Sequence, residues 1–541
     1  MKKPAFLLAG ILFLALATGR AEVKLPAVFS DHMVLQRDME IPVWGSASPG
    51  EKVTVTLGAG STSAQADSSG KWSVRLPKMP ASATPTELKA AASNTVTIKD
   101  VLVGDVWVCS GQSNMAFSLG RAATAKEALA TANSPVIRLF TVPKNSTIQP
   151  QSNCASAWVV CAPNTAEKFS AVGYFFGKEI ADTQKIPVGL IGTHVGGTPA
   201  EAWSSLESLQ SDKTLNEVYA SRFTKLAAGA EAAKAAHDQW LANGGSEYLA
   251  AVQKQRAAAA AAKQKGAPPP PVPPAPATPE PPLPTSQSQP TVLFNGMVAP
   301  IIPFGIKGAI WYQGESNAGQ AAVYRKLFSA MIQGWRKCWG QGDFPFLFVQ
   351  LPNFGKRDDQ PTALEIGWPA LREAQLMTLN TVPNTGMAIT MDVGNPNDIH
   401  PTFKAEVGHR LALYARHLVY GENLLHSGPL YASHKIEGNQ VVIKFTHAGD
   451  GLKIAPLPVT LPGRTPPPTD ELVGFAIAGA DKKFVWAKAA IQGPDTVVVS
   501  STEVPSPVSV RYAWGADPAV NLYNSGDLPA SPFRIPAPEN P

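Results

Sequence analysis

Five short runs of this chain are almost wholly apolar, and four of them stop abruptly at a polar segment containing glycine, asparagine or aspartate. The runs are Asp105–Cys109, Val188–Gly192, Gly308–Tyr312, Phe346–Gln350 and Met387–Met391. A strand that is apolar on both faces has to be covered on both faces, which is the condition of a parallel sheet sandwiched between helices. Helix-period stretches lie between or after the runs, for example Val407 to Tyr420. The pattern therefore predicts an α/β, three-layer domain over about residues 103–421.

On either side the texture changes. Before Val103, runs such as Lys52–Leu57 and Trp72–Leu76 alternate apolar and polar residues between glycine and proline turns. After Glu422, Gln440–Phe445 and Thr496–Ser500 do the same. Period-two alternation predicts an antiparallel β-sandwich over 22–102 and a second antiparallel β domain over 422–541. The central domain is interrupted over 206–290, first by Ala-rich text that favours helix and then by a proline-dominated stretch expected to be an extended, mobile linker.

The first 21 residues combine Lys2 and Lys3, an apolar run from Ala5 to Ala17 and small residues near Ala21, the arrangement of a secretory signal peptide. A secreted or periplasmic location follows, with no membrane span after cleavage. Charged residues make up only 16% of the chain and the net charge of +5 is scattered, which argues against a nucleic-acid surface. Cys109, Cys154, Cys161 and Cys338 match no zinc spacing. Cys154 and Cys161 are near enough for a disulfide, but free thiols fit equally.

The chemistry is concentrated in the four polar segments. Gly111-Gln112-Ser113-Asn114-Met115 closes the first run, Gly196-Gly197-Thr198 the second, Gln313-Gly314-Glu315 the third, and Asp392 to His400 the last. A serine in a glycine turn is usually a helix cap, and Gly-x-Ser-x-Gly is absent here. Four polar segments at strand ends, however, can converge on one cleft. Ester hydrolysis needs a nucleophile, a base and donors for the oxyanion. Ser113 is the candidate nucleophile and His400 the candidate base. Asp398 is the candidate orienting acid, with Asp392 in reserve. The backbone N–H groups of Ser113 and Gly197, with the amide of Gln313, are the candidate oxyanion donors.

Gly-Gln-Ser-Asn-Met, Gly-Gly-Thr-Pro-Ala-Glu-Ala-Trp, Trp-Tyr-Gln-Gly-Glu-Ser-Asn and Asp-Ile-His-Pro, in this order, resemble the sialate O-acetylesterase family of SGNH hydrolases. Phe29–Gln36, Tyr512-Ala513-Trp514 and Asn521–Asn524 extend the resemblance over nearly the whole mature chain. It implies a cofactor-free serine esterase acting on acetylated carbohydrate, either a sialic acid or a xylo-oligosaccharide. The sequence departs from many SGNH enzymes by offering Gln313 where an asparagine is common, and by lacking Asp-x-x-His. A secreted carbohydrate-binding protein with an inactive centre is the alternative from another class.

Other residues are weighed as structural first. Glu201 and Glu315 could form a glycosidase pair, but hydrogen bonds to loops explain them better. His194 could line the cleft, and Arg372 is a candidate for a sialate carboxylate. Of Trp203, Trp311, Trp368 and Trp514, one or two at most are expected to stack on sugar.

Overall fold

A single strand, β1 (Thr95–Gly111), joins two sheet systems in the computed structural model, which describes residues 22–264, 267–281, 286–357, 360–361, 365–458 and 467–537. The signal peptide expected over 1–21 lies outside the described residues. The first half of β1 pairs antiparallel with Ser82–Ala91 and parallel with Val34–Gln36. Its second half is the middle of the apolar sheet. The boundary expected at 102/103 thus falls inside one continuous strand.

The other strands are β2 (Ser134–Thr141), β3 (Val159–Cys161), β4 (Val188–His194), β5 (Gly308–Tyr312), β6 (Phe346–Val349) and β7 (Thr385–Ala388), in the spatial order β7-β6-β5-β1-β4-β2-β3. All neighbours in this sheet are parallel except the edge strand β3. Every residue of β5, β6 and β7 is buried, as two-sided cover requires. The cover on one face is α1 (Ala171–Gln184), where Phe176 meets Trp107 at 4.9 Å and Gly173 lies against Cys109. On the opposite face α2 (Ala321–Trp339) sets Trp335 against Trp311 and Phe346. Helix α3 (Gly367–Thr381) packs beside α2, and α4 (Lys404–Leu418) beside α1. The three-layer α/β reading holds.

The connection from β4 to β5 carries the chain from one side of β1 to the other, so β1 marks a topological switch point. Ligands in such sheets bind at the carboxyl ends of the strands there. The register places His194, Gly111 and Tyr312 in one row. Three of the four polar segments therefore start side by side.

The interruption differs from expectation. Leu209, Leu215, Tyr219 and Phe223 are buried, and Lys326 and Lys337 of α2 pair with Asp212 and Glu207, so its first part belongs to the packed layer. Nor does the proline stretch behave as a free tether where it is described. Proline lacks an N–H but keeps its acceptor carbonyl. Gln255 Nε2 donates to Pro270 O at 2.9 Å, and Trp240 Nε1 to Thr278 O at 2.9 Å.

The C-terminal region forms two four-stranded antiparallel sheets, one containing Gln440–Thr446 and Thr496–Ser500, the other Phe475–Ala478 and Ser509–Tyr512. Arg372 anchors it. Fully buried, its guanidinium donates to the carbonyls of Leu351, Pro352, Gly515 and Ala516, so it is not available to a substrate carboxylate. All four cysteines are free, including Cys154 and Cys161. Among the described residues no helix is long and apolar enough to cross a membrane.

Candidate active site

Ser113 stands two residues beyond β1 in a turn that only glycine can begin. Gly111 has φ +135°, and a Cβ there would come within 2.2 Å of Tyr312 O, a conformation and an approach closed to other residues. Gln112 N–H donates to Tyr312 O at 3.0 Å and Val195 N–H to Gly111 O at 3.1 Å, tying this strand end to both neighbours. The turn then tightens through Met115 N–H and Ala116 N–H, both donating to Gln112 O. Ser113 itself is partly exposed. Gly196 lies directly against it, since a Cβ on Gly196 would sit 3.3 Å from Ser113 Cβ. Among the described residues neither the Ser113 nor the Gly197 amide N–H has an acceptor. Both main-chain donors are thus unengaged.

The loop of His400 is tied to this turn by a side chain. Asn114, fully buried, donates from Nδ2 to Ile399 O at 2.9 Å, the carbonyl between Asp398 and His400. Asp398 Oδ1 accepts the His400 backbone N–H at 2.9 Å and lies 3.5 Å from His400 Nδ1. The side chains of His400 and Asp398 are 32% and 54% exposed, so the pair opens to solvent. Partial burial holds the His400 imidazole below its ordinary pKa, with Lys404 and Arg121 acting the same way and Asp398 opposing. A base that stays neutral into mild acid suits proton abstraction. Asp392 is elsewhere: wholly buried, it forms a two-point ion pair with Arg410 at 2.6 and 2.7 Å and accepts from Tyr523. Of the two acids, only Asp398 is near the histidine.

Gln313 is close by but is not presented as a donor to the cleft. It is fully buried, Nε2 donates to Asn317 Oδ1 at 2.6 Å and Thr198 O at 3.3 Å, and Oε1 accepts from Tyr324. With both amide hydrogens committed, the residue fastens the Gly197-Thr198 loop instead of pointing at an oxyanion. Asn317 continues the fastening, accepting from Ala200 N–H and donating to Glu201 Oε2 at 3.0 Å. Glu315 accepts from Asn114 at 2.6 Å. Burial raises the pKa of both Glu201 and Glu315, as expected of carboxylates with few solvating partners.

Burial also pushes the His194 imidazole down to about 4, and its Nε2 has no partner among the described residues. The ring is turned back against Gly192. Trp203 and Trp311 are fully enclosed and pack edge to face, so neither can stack on a sugar. Trp368 is partly buried, and Trp514 lies under the guanidinium groups of Arg511 and Arg534. Sequence reasoning passed over Asn114 and Lys404, whose Nζ donates to Asn114 Oδ1 at 2.5 Å. The one sequence signal for them is position, directly after Ser113 and four residues after His400.

Residues 103–236 and 291–416, which carry Ser113, Gly197, Gln313, Asp398 and His400, match the family model described as carbohydrate esterase, sialic acid-specific acetylesterase. A solved carbohydrate acetylesterase from Xanthomonas citri is 36% identical, covers 95% of this chain and 99% of its own, and superposes with a TM-score of 0.75. The chain belongs to this family of carbohydrate esterases. Sialate O-acetylesterases from Homo sapiens and Mus musculus are each 28% identical, over 98% and 93% of this chain and 97% and 92% of their own lengths. The esterase is thus a carboxylic ester hydrolase. The two matched segments leave out 237–290, so the part of the interruption that packs on α2, Leu206–Leu215, lies within the matched residues.

Proposed function

We propose that this esterase removes O-acetyl groups from sugars, most closely in the manner of a sialate O-acetylesterase, by acyl transfer through Ser113. The observation that carries the reading is the bond from Asn114 to Ile399 O, which ties the nucleophile's turn to the loop of Asp398 and His400. In this reading His400 takes the Ser113 proton as the hydroxyl attacks the acetyl carbonyl. The Ser113 and Gly197 N–H groups receive the oxyanion. His400 then protonates the departing sugar oxygen, and water, activated by the same imidazole, releases acetate from acetyl-Ser113. Asp398 orients the ring and stabilises its charged form. The reaction as drawn uses no metal or cofactor. The leader over residues 1–21 supports export, hence a secreted or periplasmic enzyme.

Acetate release from O-acetylated sialic acid, with acetylated xylo-oligosaccharides in parallel, tests both chemistry and substrate. Turnover of the sialate that disappears in Ser113→Ala is the expected result. Preference for the xylo-oligosaccharide would move the substrate, and turnover surviving in Ser113→Ala would remove the nucleophile.

A further inference from the structure

Three polar side chains, Asn114, Lys404 and the partly buried Glu315, lie between the Ser113 turn and the His400 loop and belong to neither the nucleophile, the base nor the oxyanion donors. Asn114 and Lys404 are wholly buried. Lys404 Nζ donates to Asn114 Oδ1 at 2.5 Å, while Asn114 Nδ2 donates to Glu315 Oε1 at 2.6 Å and Ile399 O at 2.9 Å. The orientation of this amide is fixed by its partners, because an ammonium can only donate and a carbonyl can only accept. Lys404 also faces the rings of Phe117 at 4.9 Å and Tyr312 at 5.1 Å, which supply the face of a quadrupole to a desolvated cation. The charged groups acting on Lys404 are Glu315, Asp398 and Arg121.

A buried charge adds little to stability by itself, since apolar replacements of similar volume are often neutral or better. What the Lys404–Asn114 contact does is orient an amide that holds Ile399, and hence the spacing between two reacting groups. We propose that Lys404, with Glu315 as its counter-charge and Asn114 as its arm, is a positioning residue that sets the Ser113–His400 geometry. This rests on the reading of Ser113 and His400 as nucleophile and base. Burial lowers the lysine to about 7 and raises Glu315.

The test uses the full chain with Lys404→Met and the double variant Lys404→Met/Glu315→Gln. It follows 4-nitrophenyl acetate turnover over pH, the rate of fluorophosphonate modification of Ser113, and thermal midpoint. A misplacement of about 1 Å lowers rate by roughly 10²-fold. Lys404→Met should therefore lower kcat by about 10²-fold with KM little changed. Removal of a cation near His400 favours imidazolium, so the acid limb of kcat/KM should move to higher pH. The double variant should regain the thermal midpoint while kcat stays low. Wild-type kcat with an unmoved acid limb in Lys404→Met would overturn the proposal, as would recovery of kcat together with stability in the double variant. Should Lys404→Met not fold, Asn114→Leu removes the arm alone, and a wild-type kcat there is equally contrary. Failure of the wild-type enzyme to label at Ser113 would instead sink the nucleophile assignment on which the proposal stands.

Discussion

Two asparagine–glutamate pairs lie near Ser113, and they are wired differently. Asn114 bridges Glu315 to Ile399 O and is itself gripped by the Lys404 ammonium. Asn317 bridges Glu201 to Ala200 N–H and Gln313, and its hydrogen-bond partners include no cation. In the proposed mechanism the first pair fixes the loop of a side chain that must gain and lose a proton, and the second fixes a loop whose main-chain N–H groups only have to stay still. A charge belongs where a proton moves, because it biases the neighbouring imidazole as well as holding it. Dipoles and neutral amides suffice to hold an oxyanion loop.

Variants break or sharpen that contrast. Ser113→Ala and His400→Ala serve both sides and should each lower acetyl-ester kcat by about four to six orders of magnitude, with the fold retained by circular dichroism. Asn317→Ala loosens the Gly197 loop and should cost about 10²-fold in kcat with the acid limb of the pH profile in place. A moved limb would erase the contrast with Asn114. Asp398→Asn should lower kcat by about 10²-fold, less than the ~10⁴ of an enclosed triad acid, because the pair is open to water. Asp392→Asn, by contrast, strands Arg410 and should show itself as about 3–5 kcal/mol of lost stability by denaturant unfolding.

Smaller still is Gln313→Ala. A direct oxyanion donor is worth about 10²–10³-fold, and a residue that only fastens Thr198 O should give no more than about tenfold in steady-state kcat. A thousandfold loss would restore Gln313 to the oxyanion site. The smallest effect lies in the wild-type pH profile. His400 must be neutral to act as base and burial lowers its pKa, so kcat/KM should fall only below the usual imidazole value of about 6.5. An acid limb above that value would mean that Asp398 outweighs burial.

Much of this was legible in sequence because two-sided burial writes itself as unbroken apolar runs, and β1, β4, β5, β6 and β7 were found that way. The candidate serine, histidine and glycine loop stand out in sequence because strand ends and glycine turns leave local marks. The choice between Asp392 and Asp398 was not, since it depends on Arg410, which lies far along α4 and takes one acid out of contention. Gln313 looks like a donor in sequence because it closes one of the four polar strand ends, whereas its hydrogens are committed to Asn317 and Thr198 in space. Lys404 was invisible for the same reason. A lysine at a helix start reads as a surface residue until Phe117, Tyr312 and Asn114 are seen to enclose it. The helical text from Leu206 to His237 misled in the opposite direction, its low-complexity alanines masking the buried Leu209, Leu215, Tyr219 and Phe223.

Peptide mapping of the enzyme after reaction with a fluorophosphonate, beside His400→Ala, tests the convergence of the two loops most directly. The expected result is a single adduct on Ser113 whose formation slows by at least about 10³-fold without the imidazole. An adduct on another serine, or undiminished labelling of Ser113 in His400→Ala, would contradict the site.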